Sequence, residues 1–225
     1  MASEKETRLL SHIFWLHALK KLHHRDLIQG GSDDGSVTFS FLLLTRAHTL
    51  IKGHTVLIVF SGLPGTGKTT IANALAATTG AVYLRIDSIE QAIRSSGALA
   101  QDVGCSGYRV ANELALSNLR LGLTVTVDCV NPVIESRMAW SETASKAGVR
   151  LVNIQVICSD KDEHRRRVET RVVDIPGLTP PTWQSVLDHE YEAWDDASFC
   201  IDTALASPVQ AVTMITSRFI KCRKV

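Results

Sequence analysis

The run Gly62-Leu63-Pro64-Gly65-Thr66-Gly67-Lys68-Thr69 constrains the fold more than any other feature of the chain. It satisfies G-x-x-x-x-G-K-[ST] at every required position, between the apolar run Val56-Leu57-Ile58-Val59-Phe60 and a stretch of helical pattern over 68–79. Strand, glycine-rich turn and helix in that order are the context the motif's chemistry needs. Glycines let the main chain turn tightly and bring its N–H groups onto phosphate oxygens, and the positive end of the following helix adds to the field. Lys68 supplies a point charge for the β- and γ-phosphates, and the Thr69 hydroxyl is placed for Mg²⁺. The cradle, which extends through Thr70, therefore predicts ATP with Mg²⁺ as the bound species. A chance glycine-rich turn is the bland alternative, and the agreement of motif with context argues against it.

From Val56 onward short β-branched runs alternate with helical stretches. Strands are expected near 56–61, 81–86, 123–128, 151–157 and 198–202, and helices near 68–79, 88–96, 107–121, 134–147, 161–173, 182–193 and 207–220. Continuous apolar strands separated by helices imply an α/β domain with a parallel sheet covered on both faces. This domain is expected over 55–225. Residues 1–54 stand apart as an N-terminal extension: an amphipathic stretch carrying Leu9, Leu10, Ile13, Phe14, Leu16 and Leu19, then a Gly/Ser/Asp linker at 29–36. Two readings of it stay open, an accessory helix packed on the core and a native start near Val56.

Charge is nearly balanced, 24 basic against 23 acidic residues, so no global field points to nucleic acid. Apolar runs before the first strand are interrupted by Lys, Arg and His, which argues against a membrane span or a cleaved leader. Five cysteines without C-x-x-C or zinc spacing suit buried thiols in a reducing compartment, and a cytoplasmic location is expected.

The phosphate loop alone does not choose a reaction. Asp174-Ile175-Pro176-Gly177 has the form of a GTPase D-x-x-G switch but comes beyond the fourth strand, and no Asn-Lys-x-Asp motif is present. Ser159-Asp160-Lys161-Asp162 lacks the amide and reads as a helix N-cap. Nothing resembles the acidic pair and sensor motifs of a large motor ATPase. A compact kinase fits best. The stretch from Leu57 to about Thr203 resembles small P-loop kinases of the zeta-toxin, chloramphenicol phosphotransferase and polynucleotide 5′-hydroxyl kinase type, with more distant similarity to adenylate and shikimate kinases. That resemblance implies a three-layer P-loop NTPase fold, a five-stranded sheet in the order 2-3-1-4-5, a mobile lid, and transfer of the γ-phosphate of ATP to a hydroxyl of a small-molecule acceptor.

In Tyr83-Leu84-Arg85-Ile86-Asp87-Ser88-Ile89-Glu90 the resemblance puts Asp87 beside the acceptor hydroxyl as base or orienting group; otherwise Asp87 or Ser88 caps a helix. Asp128 closes the third strand, placed to hold Mg²⁺ with Thr69 or to organise the Cys129-Val130-Asn131-Pro132 turn, where Asn131 is a weaker acceptor contact. Arg167 and Arg171 lie four apart, on one face of a helix. Their R-V-x-x-R pattern resembles the lid arginines of adenylate-kinase-like enzymes, the first packing on adenine and the second reaching the phosphates; a solvated helix paired through Glu163 is the alternative. Thr203 and the following loop fall where such kinases line the adenine pocket. Arg94, Tyr108 and Arg109 lie between the second and third strands, where Arg94 and Arg109 are candidates for the acceptor or ordinary surface residues. Two rival readings are an ATP-binding regulatory module without transfer and a nucleic-acid 5′-hydroxyl kinase using the basic stretches near both ends.

Overall fold

A computed structural model describes residues 55–97, 102–194 and 197–220. The extension expected over 1–54 lies outside them. The first strand, β1 (Val56–Ser61), is buried at all six positions. Its alternation divides the core in two. Leu57 and Val59 face one layer, with Leu84, Val125, Val127 and Trp140, while Val56, Ile58 and Phe60 face the other, with Ile71, Leu75, Val152, Ile154 and Ile215. A strand apolar on both faces requires cover on both sides, which is why no simple polar/apolar alternation marks it.

The remaining elements are α1 (Lys68–Thr79), β2 (Val82–Arg85), α2 (Ile86–Ser95), α3 (Ser106–Arg120), β3 (Val125–Asp128), α4 (Ile134–Ala147), β4 (Arg150–Ile157), α5 (Lys161–Glu169), α6 (Trp183–Leu187), β5 (Phe199–Asp202) and α7 (Pro208–Phe219). The five strands pair in the order β2-β3-β1-β4-β5, and each pairing is parallel. The expected α/β class and strand order are those observed. Helices α3 and α4 cover one face and α1 and α7 the other. The register Phe60↔Asp128 and Arg85↔Asp128 brings the carboxyl ends of β1, β2 and β3 together, beside the turn that follows β1. In a parallel sheet that end is where ligands bind.

Local chemistry accounts for the boundaries. The Asp160 side chain caps α5 by accepting from the amides of Asp162 and Glu163, as the Ser159–Asp162 segment predicts. Ser207 and Gln210 form a capping box at α7, with Pro208 in its first turn. Three expected helices differ. The one near 88–96 begins earlier, at Ile86, directly from β2, and Arg85 rather than Asp87 or Ser88 takes the cap position. The one over 161–173 ends at Glu169, where Val172, Val173 and the residue before Pro176 disfavour continuation. The one over 182–193 stops at Leu187. Beyond it, the carbonyls of Glu192 and Ala193 accept from the Arg137 guanidinium at 2.7 and 3.1 Å, which lies over the rings of Tyr191 and Trp194. The chain there is held by a cation instead of by its own helical bonds.

Trp140 is the largest fully buried side chain among the described residues, in the α3/α4 layer. Trp140→Ala is expected to cost about 3–5 kcal/mol by the lost burial and residual cavity. Denaturant unfolding of both chains gives the difference.

Candidate active site

The turn after β1 is shaped by three glycines at positive φ, Gly62 (146°), Gly65 (83°) and Gly67 (91°). A Cβ at Gly62 would lie 2.2 Å from the Val156 carbonyl oxygen, and one at Gly65 2.4 Å from Val168 Cγ2. Neither backbone conformation nor space admits a side chain. Gly62→Ala is therefore expected to lower thermal stability steeply and to abolish nucleotide binding. Gly148→Ala makes the control. Gly148 also has positive φ (67°) but faces open space, and its substitution should cost only about 1 kcal/mol. Paired melting curves separate the two effects.

Neighbouring elements fix the turn from outside. Thr66 Oγ1 donates to Leu63 O at 2.9 Å. His164 on α5 donates from Nε2 to Pro64 O at 2.8 Å, and its ring meets the edge of Trp183. Thr203 Oγ1, just past β5, lies 2.8 Å from Thr66 O. Arg167 then ties α5 to β5, donating to Thr203 Oγ1 at 2.8 Å and Thr203 O at 3.2 Å while its Nε holds Glu163. Two arginine bonds keep Glu163 ionised down to about pH 2. Lys68 is buried at the start of α1 with Nζ 3.4 Å from Leu63 O.

Two cavities open from this turn. One, of about 340 Å³, lies between Gly67, Thr70, Arg167 and the loop 203–208. The other, of about 380 Å³, is lined by Lys68, Thr69, Thr70, Arg85, Arg167, Arg171 and Asp174 among others. The structure thus brings the glycine-rich turn, Arg167, Arg171 and Thr203 to adjoining spaces. Arg171, however, stands beyond the end of α5 rather than on a helix face shared with Arg167.

Asp128 closes β3 at 3% exposure. Its Oδ2 accepts from the Tyr83 hydroxyl at 3.0 Å, while Oδ1 is buried without a hydrogen-bond partner. An unpaired buried carboxylate oxygen is costly, and a cation offsets that cost. The unpartnered Asp128 oxygen fits Mg²⁺, and Thr69, at the start of α1, is the hydroxyl the motif supplies for the same ion. Among the described residues no cluster of three or more His, Cys, Asp or Glu forms a metal site. Such an ion would complete its shell with phosphate oxygens and water, as Mg²⁺ commonly does. Burial, reinforced by the charge of Asp128, raises the Tyr83 phenol well above its ordinary value, so Tyr83 acts as a donor.

A family model described as an AAA domain, AAA_33, matches residues 57–177, more than half of the chain. The chain belongs to this AAA domain family. No curated protein matches its sequence. Solved structures similar to this AAA domain include a kinase candidate from Chloroflexus aurantiacus (TM-score 0.58, 19% identity, covering 73% of this chain and 95% of that one). A sugar kinase from a Janibacter species gives a TM-score of 0.53 at 20% identity, covering 72% of this chain and 93% of its own. The Mycobacterium tuberculosis APS kinase, in complex with AMPPNP and APS, gives 0.53 at 16% identity over 72% and 96%. At these identities the likeness establishes the fold.

The remaining site candidates of the AAA domain lie on α2, on α3 and in the turn after β3. Arg94 pairs with Glu90 on an exposed face of α2, about 10 Å along the helix from Asp87. Arg109 lines a separate depression on α3 with Val110, Glu113, Leu114 and Ser117. Neither lines the two cavities: Arg94 lies two turns along α2 from Asp87, on the face they share, and Arg109 lies on α3. Asn131 is fully buried at φ 54° and donates to Ser61 Oγ, bracing the start of the phosphate turn. Asp87 lies in the first turn of α2, 38% exposed, with Oδ2 3.7 Å from Arg85.

Arg85 is the residue sequence reasoning missed. It ends β2 at 7% exposure and faces three carboxylates: Asp174 at 2.6 Å, Asp87 at 3.7 Å and Asp128 at 3.7 Å. Burial works against its charge, yet the bond it donates to Asp174 and the surrounding carboxylates raise it above the usual arginine value. Asp174 is in turn held below the ordinary carboxylate range by that bond. The signal was available in Tyr83-Leu84-Arg85-Ile86-Asp87, where alternation puts Arg85 on the same side as the site tyrosine. No helix among the described residues is long and apolar enough to cross a membrane.

Proposed function

We propose that this AAA domain is an ATP-dependent phosphotransferase that moves the γ-phosphate of ATP to a hydroxyl of a small-molecule acceptor. One observation carries the reading: a phosphate turn with a buried lysine shares a cavity with Thr69, Arg167 and Arg171, and Asp87, paired with the Arg85 that lines this cavity, stands at the neighbouring strand end. The similar fold of kinases, one of them in complex with AMPPNP and APS, supports it.

In this reading ATP lies with its triphosphate over residues 62–70 and its base toward the loop 203–208. Mg²⁺, held by Thr69 and Asp128, would supply charge neutralisation on the β- and γ-oxygens. Asp87 accepts the acceptor's hydroxyl proton as its oxygen bonds to the γ-phosphorus, the bond to the β-phosphate oxygen breaks, and ADP leaves. Lys68, Arg167 and Arg171 stabilise charge on the transferred group. They act in a partly enclosed space, where such contacts count for more than in water.

The test is transfer from [γ-³²P]ATP in magnesium buffer across a panel of hydroxyl compounds, with Mg·AMPPNP binding measured in parallel. A labelled product with at least one acceptor is expected. Loss of the idea would come from wild-type protein that shows no affinity for Mg·AMPPNP. Binding without transfer to any acceptor would instead favour a regulatory module.

A further inference from the structure

We infer that Arg85 reads an oxyanion carried by the acceptor itself, which makes the substrates hydroxyl compounds bearing a carboxylate, sulfate or phosphate, with the Asp174 carboxylate standing in that position in the free molecule. The inference rests on the phosphotransferase reading and narrows it.

The Arg85 guanidinium is more than nine-tenths buried, yet Nε and Nη2 have no hydrogen-bond partner. Asp87 and Asp128, at 3.7 Å, supply charge but are too distant to accept a hydrogen bond. The one bond made is from Nη1 to Asp174 Oδ2. Asp174 is 62% exposed and belongs to the segment after α5, where Val172 is also solvent-facing. The hydrogen bonding of a buried cation thus relies on a single carboxylate from the surface, and that carboxylate engages only one of two adjacent donors.

A ligand carboxylate, sulfate or phosphate would take Nη1 and Nη2 together, the fork geometry in which arginine binds oxyanions best. Nη2 is also the atom beside Asp87, so an oxyanion bound there places its own molecule next to the proposed proton acceptor. The cavity lining is cationic on balance, Lys68, Arg85, Arg167 and Arg171 against Asp174, while Asp87 and Asp128 stand 3.7 Å from the guanidinium. When Asp174 withdraws to admit an acceptor, a neutral compound would leave the buried guanidinium without a hydrogen bond. An anionic one replaces what was lost.

Sulfate is the probe, titrated calorimetrically into the full chain saturated with Mg·AMPPNP, at ionic strength held constant with chloride. Saturable sulfate binding is expected, weakened about tenfold or more in Arg85→Lys and further in Arg85→Gln. Asp174→Asn should bind sulfate about threefold tighter or better, since the competing carboxylate has gone. If Arg85→Gln does not fold, as judged by its melting curve, Arg85→Lys and Asp174→Asn carry the test. Equal sulfate affinity in wild type and Arg85→Lys would overturn the inference, as would weaker binding in Asp174→Asn. Sulfate that competes with AMPPNP, instead of binding alongside it, would assign the oxyanion to the nucleotide and overturn the acceptor assignment. Wild-type protein that fails to bind Mg·AMPPNP would remove the phosphotransferase reading as well, so the two failures are distinguishable.

Discussion

Lys68→Ala is expected to reduce phosphoryl transfer by about 10²–10³-fold or more, the cost of losing one buried donor from a site that stabilises developing charge. Mg·AMPPNP binding should weaken by about tenfold or more, since a charge-assisted hydrogen bond contributes about 1.5–3 kcal/mol. The fold should survive. Lys68 is buried at the first position of α1, but its Nζ has a single long bond, to Leu63 O at 3.4 Å, and the turn is held by Thr66, His164 and Thr203 instead. An ammonium with so weak an internal partner is positioned for a ligand more than for the architecture. Calorimetry with AMPPNP and single-turnover transfer separate the two effects. Unchanged nucleotide affinity in Lys68→Ala would remove the phosphate-cradle assignment itself.

How much of this was legible before folding follows from the range of each interaction. The phosphate turn was readable because its glycines, lysine and threonine are contiguous and their backbone demands are local, as the positive φ at Gly62, Gly65 and Gly67 shows. The strands were readable because burial on both faces writes itself into apolar runs such as Val56–Phe60. Their order was not written there; it came from resemblance to small kinases. Arg85 was missed because its hydrogen-bond partner Asp174 is 89 residues away and carries a motif-like sequence that drew a different comparison. The helix expected over 182–193 stops at Leu187 for a related reason. Tyr191 and Trp194 have helical spacing, but the rings meet Arg137, and its bonds to main-chain carbonyls compete with helix formation. Arg94 and Arg109 show the converse limit: position between two strands said which segment they occupy, not which cavity each would line.

Asp87→Asn should lower kcat by about 10²–10⁴-fold, the usual contribution of a positioned proton acceptor, while leaving Mg·AMPPNP affinity within about threefold of wild type. The substitution keeps size and removes one charge. Arg85 retains Asp174 and Asp128, so the guanidinium stays paired and the fold should persist. Asp87 supplies no cap bond to α2, and its loss should cost the helix little beyond a favourable charge in the first turn, about 0.3–1 kcal/mol. A structural role therefore predicts a small change in melting temperature and none in the ratio of chemistry to binding. The proton-accepting role predicts the reverse, a rate that falls while KM for the nucleotide stays put. Asp87→Glu refines the answer, because a carboxylate displaced by one methylene should recover part of the rate if proton transfer is the task. Turnover in Asp87→Asn equal to wild type would show that the acceptor hydroxyl loses its proton to another group, and Asp128, buried with one free oxygen, would be the next carboxylate to test.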